Sequence, residues 1–182
     1  MSGIETLEAL RVRDLMQTEV VTIGPDATAR ELMELLDYYE IGGVPVVDAE
    51  GRVLGVVSGR DLIRFAAERN EAPAWYLPEE PEPKLGGYFH PDRVSTTLLR
   101  RLEGILEGIL VRDIMTPAVF SVREGATIPE LARFLLQSGA HRALVLDDGQ
   151  LRGIVTTTDI LRALAGEVER RDASPPEALQ SP

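Results

Sequence analysis

The chain carries the stretch Val12-Arg13-Asp14-Leu15-Met16, and the same pattern returns as Val111-Arg112-Asp113-Ile114-Met115. The similarity continues further along both copies, where Gly55-Val56-Val57-Ser58-Gly59-Arg60-Asp61 matches Gly153-Ile154-Val155-Thr156-Thr157-Thr158-Asp159. Each copy of such a repeat is one supersecondary unit that cannot bury its apolar face alone, so the copies pack on each other. We therefore expect a ligand in the cleft between them.

Composition restricts the kind of protein. The chain has 182 residues, of which 44% are hydrophobic, enough to bury a core. It has no apolar run of about 18 residues that would cross a membrane and no signal-peptide pattern. We therefore expect a soluble, cytoplasmic protein. Cysteine is absent and only two histidines occur, which argues against disulfides and against a conventional zinc site.

The net charge argues against a nucleic acid partner. The formal charge is −11 at pH 7, so the chain lacks the basic surplus that releases counterions from DNA or RNA. A small anionic ligand is still compatible with this charge, because a few arginines suffice to make a local positive pocket.

The apolar spacing predicts the order β-α-β-β-α in each copy. In the first copy we predict strands at 20–23, 44–47 and 53–57 and helices at 29–39 and 59–67, with Gly42-Gly43 ending the first helix. In the second copy the strands fall at 119–122, 143–146 and 151–155 and the helices at 128–137 and 157–167. The second strand of each copy is apolar on both faces, as in a sheet covered by helices. The expected result is two α/β lobes packed sheet to sheet.

The predicted organisation is a first repeat at 1–70, an inter-repeat segment at 71–110, a second repeat at 111–168 and a mobile tail at 169–182. The segment at 72–84 is rich in proline and glutamate, which predicts an extended linker. Nearby aromatic residues, including the single tryptophan Trp75, indicate that part of it docks on something. The leucine and isoleucine spacing at 95–110 predicts a helix.

The repeated Ser/Thr-x-x-Asp pattern, at Ser58 to Asp61 and at Thr156 to Asp159, has two interpretations. As structure, it is close to a capping box, with an acid in the first helical turn. As function, the same place offers helix N–H groups to a phosphate and a carboxylate to the two hydroxyls of a ribose. Spacing alone favours the cap.

The two copies resemble CBS domains (cystathionine-β-synthase domains), which occur in pairs called Bateman modules. The resemblance rests on the Val-Arg-Asp-Leu-Met opening, the stretch Gly42 to Asp48, the Gly-x-Val-x-Ser/Thr-x-x-Asp close and the duplication itself. It covers residues 12–67 and 111–165. It implies a pseudo-twofold pair that binds an adenosine-containing ligand, such as AMP, ADP, ATP or S-adenosylmethionine, between the repeats.

The resemblance also implies roles for individual residues. Asp61 and Asp159 would hold ribose hydroxyls, with Ser58, Arg60, Thr156 and Thr158 near ribose and phosphate. The base and its wall would be formed by residues of the first and second strands, namely Thr22, Ile23, Val44, Pro45, Ser121, Val122, Ala143 and Leu144.

The copies differ at the predicted phosphate contact. His141-Arg142 resembles the family's phosphate-contacting pair, although an exposed histidine at a helix end is the alternative. The first copy has Gly42-Gly43 there, and Arg60 compensates where the second copy has Thr158. We therefore predict two unequal sites. For Arg13-Asp14 and Arg112-Asp113 a local ion pair is favoured over ligand contact.

The resulting hypothesis is a regulatory module, homodimeric by family behaviour, that senses an adenosyl ligand and signals to an effector protein. No cofactor or metal site is predicted, and whether Mg²⁺ accompanies ATP is left open. The alternative is a CBS-fold scaffold without ligand. An enzyme is disfavoured, because the sequence shows no nucleophile with a paired base and no glycine-rich phosphate loop.

Overall fold

The computed structural model describes residues 9–68 and 106–167. The predicted proline-rich linker and the tail lie outside these residues, as does most of the helix predicted at 95–110. The end of that predicted helix, at 106–110, forms a turn in which Gly108 adopts a φ of 77°.

After a short leading helix, the first repeat follows the predicted order except for its opening strand. Its elements are α1 (Val12–Leu15), α2 (Ala29–Tyr38), β1 (Gly43–Val47), β2 (Val53–Ser58) and α3 (Gly59–Glu68). The strand predicted at 20–23 is reduced to a parallel bridge between Ile23 and Val46.

The second repeat follows the same plan. Its elements are α4 (Val111–Ile114), β3 (Ser121–Val122), α5 (Ile128–Ser138), β4 (Arg142–Asp147), β5 (Gln150–Thr156) and α6 (Thr157–Leu164). Strand β4 pairs in parallel with β3 and antiparallel with β5, whereas β1 and β2 form an antiparallel pair. The predicted α/β class and the duplication are confirmed. The second repeat has the full β-α-β-β-α order, and in the first repeat a single bridge stands in place of the opening strand.

The predicted role of Gly42-Gly43 as a helix stop is wrong. Helix α2 ends at Tyr38, and the left-handed residue after it is Glu40, with φ 51°. Gly43 instead begins β1 opposite Ser58, and a Cβ on it would lie 2.9 Å from the Ser58 Cβ. The glycine is required by this close approach of two strands.

The two repeats exchange their leading helices. The Val12 N–H donates to the Ala126 carbonyl, and Val12 is fully buried in the hydrophobic core of the second repeat. In the opposite direction, the Val111 N–H donates to the Ala27 carbonyl, and Val111 is fully buried in the core of the first. We call residues 11–17 and 110–116 the first and second leading segments. Each lobe is therefore completed by the other copy's segment.

Each leading segment also extends the edge of the other repeat's sheet. Thr116 exchanges two backbone hydrogen bonds with Val56 of β2, at 2.9 and 2.8 Å, and Gln17 exchanges two with Ile154 of β5, at 2.8 and 2.9 Å. The hairpin tips meet as well, since the Val53 N–H donates to the Gly149 carbonyl at 3.0 Å. These reciprocal contacts give the pair its pseudo-twofold character.

Candidate functional site

The first carboxylate stands where β2 passes into α3. Asp61 is only 6% exposed. Its Oδ2 accepts hydrogen bonds from the Ser58 N–H at 2.8 Å and from the Ser58 hydroxyl at 2.6 Å. Its other oxygen, Oδ1, lies 2.7 Å from Arg64 Nη2 and accepts a bond from the Thr116 hydroxyl at 3.3 Å. We call these four residues the first corner.

The second carboxylate stands at the same place between β5 and α6. Asp159 is 7% exposed, and its Oδ2 accepts from the Thr156 N–H at 2.8 Å and the Thr156 hydroxyl at 2.7 Å. Its Oδ1 lies 3.9 Å from Arg162 Nη1. Gln17 occupies the position that Thr116 has in the first repeat. These four residues form the second corner.

In both corners the capping hydrogen bonds go to one carboxylate oxygen, and the other oxygen lies outside the cap. In both corners the helix cap uses Oδ2, and this confirms the capping geometry that the spacing favours. Oδ1 takes no part in the cap, so it is the oxygen that a ribose hydroxyl would approach. A cap at Asp159 is therefore compatible with a ligand role for the same residue.

The structure brings the predicted phosphate contacts to the second corner. Arg142 pairs with Thr156 across β4 and β5, and the His141 carbonyl accepts a hydrogen bond from the Thr157 N–H at 3.0 Å. His141 is exposed and Arg142 is half-buried. At the equivalent place in the first repeat, Gly43 lies against Ser58 and its surroundings leave no room for a side chain. The helix positions Arg60 and Thr158 are both exposed.

The predicted base-lining residues fall into two groups. Ile23, Val44 and Ala143 are at most 8% exposed and belong to the two hydrophobic cores. The adjacent residues Pro45 and Leu144 are also buried, at the alternate strand positions. The predicted base-lining residues that keep partial exposure are Thr22, which precedes the Ile23 bridge, and Ser121 and Val122 of β3.

The acids of the leading segments contribute to structure. Asp14 accepts a hydrogen bond from the Arg11 N–H at 2.7 Å, and Asp113 accepts one from the Leu110 N–H at 3.1 Å. The ion pair of Arg112 is with Asp26 of the first repeat, not with the adjacent Asp113. The prediction of an ion pair within Arg112-Asp113 is therefore wrong.

Sequence reasoning missed two members of the first corner, Arg64 and Thr116. Arg64 follows Asp61 by one helical turn, a spacing that places side chains together on a helix. Thr116 comes from the opposite repeat, and the signal for it is the glycine in the Gly-x-Val pattern. A Cβ on Gly55 would lie 2.5 Å from the Thr116 carbonyl oxygen, so this glycine admits the leading segment.

The described ranges, 9–68 and 106–167, also bear on other kinds of site. A cavity of about 240 Å³ is lined by residues of α2 and of the turn at 106–108, away from both corners. Within those ranges no group of three or more histidine, cysteine or acidic residues is arranged to hold a metal. The helices found there are too short or too polar to cross a bilayer.

The fold is a duplicated α/β architecture. Each repeat carries a capped carboxylate at a strand–helix junction, and each is completed by the leading segment of the other. The CBS domain family matches residues 12–68 and 111–166, more than half of the chain. The chain belongs to the CBS-domain family, and its two repeats form a CBS pair.

The relatives differ in how much of their length matches this chain. The chain is 27% identical over 160 residues to the uncharacterized protein MJ1426 of Methanocaldococcus jannaschii, covering 86% of this chain and 92% of that protein. It spans between 43% and 65% of the length of the next four curated relatives. Inosine-5′-monophosphate dehydrogenase of the same archaeon matches over 25% of its own length, at 24% identity and across 87% of this chain.

Two solved structures that resemble this fold contain adenine nucleotides. CBSX2, a CBS-pair protein of Arabidopsis thaliana, was crystallised in complex with AMP. It has a TM-score of 0.61 and 27% identity, and the match covers 87% of this chain and 98% of that one. The CBS domain of a bacterial CNNM/CorC family Mg²⁺ transporter was solved in complex with ATP. It has a TM-score of 0.60 and 25% identity, covering 91% and 94% of the two chains.

Proposed function

We propose that this protein is a regulatory module that binds an adenosine-containing ligand between its repeats and signals to a partner protein. The ligand class comprises AMP, ADP, ATP and S-adenosylmethionine. The observation that carries the proposal is the Oδ1 atom of Asp159. The Asp159 carboxylate is anchored through Oδ2 and is 93% buried. The described contact of its Oδ1 is with Arg162 Nη1, at 3.9 Å.

The corner suits a ribose on chemical grounds. An ionised carboxylate accepts hydrogen bonds, and those to a charged group are stronger than neutral ones. Anchoring by the Thr156 N–H and hydroxyl fixes the direction of Asp159, so little side-chain freedom is lost on binding. AMP in CBSX2 and ATP in the transporter domain support adenosine as the shared part of the ligand.

The phosphate end of the ligand belongs near His141 and Arg142 in this proposal. Both residues adjoin Thr156 and Thr157, where α6 begins. Helix N-termini favour anions because their N–H groups are free and their dipole is positive. Arg60 would serve the first corner in the same way. A nucleotide is then favoured over S-adenosylmethionine, which has no phosphate.

Signalling would use the exchanged leading segments. A ligand changes a conformational equilibrium only through different affinities for the two states. The first corner joins Asp61 to Thr116 of the opposite segment, so a ligand there contacts both lobes and is sensitive to their relative position. The readout is a change in lobe orientation or in a homodimer, delivered to an effector chain.

A thermal-shift titration of the purified protein tests the proposal. The ligands are AMP, ADP, ATP and S-adenosylmethionine, with GTP as the control nucleotide, each with and without Mg²⁺. Adenine nucleotide at about 100 times its Kd stabilises the native state by about 2.7 kcal/mol, which raises Tm by about 5–10 °C for a chain of this size. The substitution Asp159→Asn should abolish most of this shift, whereas Asp147→Asn, at an exposed hairpin tip, should preserve it. Equal shifts with GTP, or none with any adenosyl compound at millimolar concentration, would reject the proposal.

A scaffold without ligand is the second candidate, and the caps themselves favour it. The hydrogen bonds from Ser58 and Thr156 account for the acids in both corners without any ligand. In that case Asp159→Asn changes stability alone, and His141→Ala changes neither stability nor binding. Isothermal titration of these two variants separates the candidates, because only a ligand-binding module loses nucleotide affinity in both.

A further inference from the structure

The Oδ1 atom of Asp61 is engaged by two donors in addition to the cap. Arg64 Nη2 lies at 2.7 Å, and the Thr116 hydroxyl donates at 3.3 Å. The same Arg64 nitrogen is 3.5 Å from the Thr116 hydroxyl oxygen, so the three groups form one closed cluster. A ribose hydroxyl that approaches Asp61 must displace at least one of these donors.

Among the described residues, the second corner has no such cluster around Oδ1 of its aspartate. Arg162 occupies the position equivalent to Arg64, but its guanidinium is 3.9 Å from Asp159 Oδ1, at the limit of an ion pair. Among the residues described, the Gln17 side chain makes no hydrogen bond with Asp159. The two carboxylates are equally buried, at 6% and 7% exposure. The corners therefore differ in whether Oδ1 is occupied and not in how deeply the carboxylate lies.

We propose that Arg64 and Thr116 make the first corner the weaker of two nucleotide sites, so that Asp159 is filled before Asp61. Arg64 is the main cause of the lower affinity at the first corner, because its ion pair with Asp61 competes directly with the ribose hydroxyls. This inference rests on the proposed function and adds the order of occupancy and its cause.

Calorimetric titration of the full chain with adenosine and with AMP provides the test. The wild type should show two unequal steps, of which Asp159→Asn removes the tighter. In the Asp159→Asn background, Arg64→Gln should strengthen binding of both ligands about fivefold. This corresponds to about 1 kcal/mol at 1.4 kcal/mol per factor of ten, the upper end for a surface ion pair, as expected for a pair with one exposed and one buried partner. Thr116→Val should act in the same direction with a smaller effect.

The matched control is Arg162→Gln in the Asp61→Asn background, which should change affinity less than twofold.

The comparison of adenosine with AMP distinguishes competition by Arg64 for Asp61 from direct contact of Arg64 with phosphate. If Arg64 holds phosphate, Arg64→Gln weakens AMP and leaves adenosine unchanged, and the inference is overturned. Two equal steps in the wild type also overturn it, while leaving the proposed function intact. Absence of both steps in the wild type rejects the proposed function itself. If the Asp159→Asn variant does not fold, the single variant Arg64→Gln is titrated instead. Its weaker binding step should then be about fivefold tighter than that of the wild type.

Discussion

The first and second corners are built from one repeated motif, yet they present different surfaces to a ligand. Both use a Ser or Thr hydroxyl to anchor an aspartate through Oδ2. They differ at Oδ1, where Asp61 meets Arg64 at 2.7 Å and Thr116 at 3.3 Å, whereas Asp159 meets Arg162 only at 3.9 Å. The difference does not lie within the Ser/Thr-x-x-Asp motif. It comes partly from the segment that the other repeat supplies, which ends in Thr116 on one side and Gln17 on the other.

The largest expected effect concerns the glycines that admit these segments. Replacing Gly55 by Ala places a Cβ 2.5 Å from a backbone oxygen of Thr116, and we expect a loss of about 3 kcal/mol. Replacing Gly153 by Ala should cost about 2 kcal/mol, because part of its surroundings is the flexible Met16 side chain. Urea denaturation measures both values.

Gly24→Ala and Gly125→Ala are the matched controls, since a Cβ at either position meets nothing within 4 Å. Losses as large in the controls as in Gly55→Ala would contradict the packing role assigned to that glycine.

The next effect tests the exchange itself. Val12→Ala and Val111→Ala each remove two methyl-sized groups from a fully buried position, at a cost of about 2 kcal/mol. Because Val12 lies in the core of the second repeat, its truncation should accelerate hydrogen exchange in α5 and β4. Val111→Ala should accelerate exchange in α2 and β1. Acceleration confined to the repeat that carries the mutation would show that the segments are not exchanged.

A smaller effect compares the two carboxylates as structural groups. Asp61→Asn loses a charged cap, the ion pair with Arg64 and the bond from Thr116, and should cost about 2 kcal/mol. Asp159→Asn loses little beyond the cap and should cost about 1 kcal/mol. Thermal unfolding without nucleotide measures both. Equal losses would mean that Arg64 and Thr116 add nothing at the first corner.

The smallest effect is a pH dependence at the two capping boxes of α2 and α5. Hydrogen bonds from Thr28 hold the pKa of Glu31 below its ordinary 4.5, and those from Thr127 do the same for the pKa of Glu130. Both acids have a lowered pKa in the folded state. Their stabilisation is therefore present above pH 4.5 and lost as pH falls through the folded pKa. Glu31→Gln and Glu130→Gln should each flatten the acid limb of a plot of Tm against pH.

Salt separates these two acids. The pKa of Glu130 is lowered further by the charges of Arg133 and Arg11, whereas no cation among the described residues contributes to the lowered pKa of Glu31. Added salt should therefore shrink the difference between wild type and Glu130→Gln more than that between wild type and Glu31→Gln. The same salt response in both variants would contradict the role of the arginines.

Much of the fold follows from local sequence, and the partners across the repeats do not. The repeated apolar spacing predicts both lobes and their helices, because periodicity reports which face of an element is buried. Periodicity does not show which repeat buries that face. From the sequence, Val12 and Val111 are therefore assigned to the cores of their own repeats, whereas each lies in the core of the other. The apolar run at 20–23 predicts a strand, but pairing in the structure is limited to Ile23, because apolar spacing does not show how many residues find a partner strand.

For the candidate site too, the sequence predicts which residues take part but not how their atoms are paired. Spacing identifies Asp61 and Asp159 as first-turn acids, and the family resemblance adds ribose as their partner. Neither the spacing nor the resemblance shows that the cap uses one carboxylate oxygen and leaves the other outside it. The distances of Arg64 and Arg162 differ by more than 1 Å although both arginines occupy the same position in the motif, and sequence has no means of expressing that difference.

The exchange of leading segments has a consequence for how such a chain could arise. A polypeptide with a single copy would complete its core by giving its segment to an identical molecule, which forms a reciprocal two-fold dimer. In that dimer the residue facing each aspartate is the same in both halves, since one gene encodes it. Joining two copies in one chain raises the effective concentration of the partners and releases this constraint. Thr116 and Gln17 can differ because each repeat is now encoded by its own part of the gene and can change independently of the other.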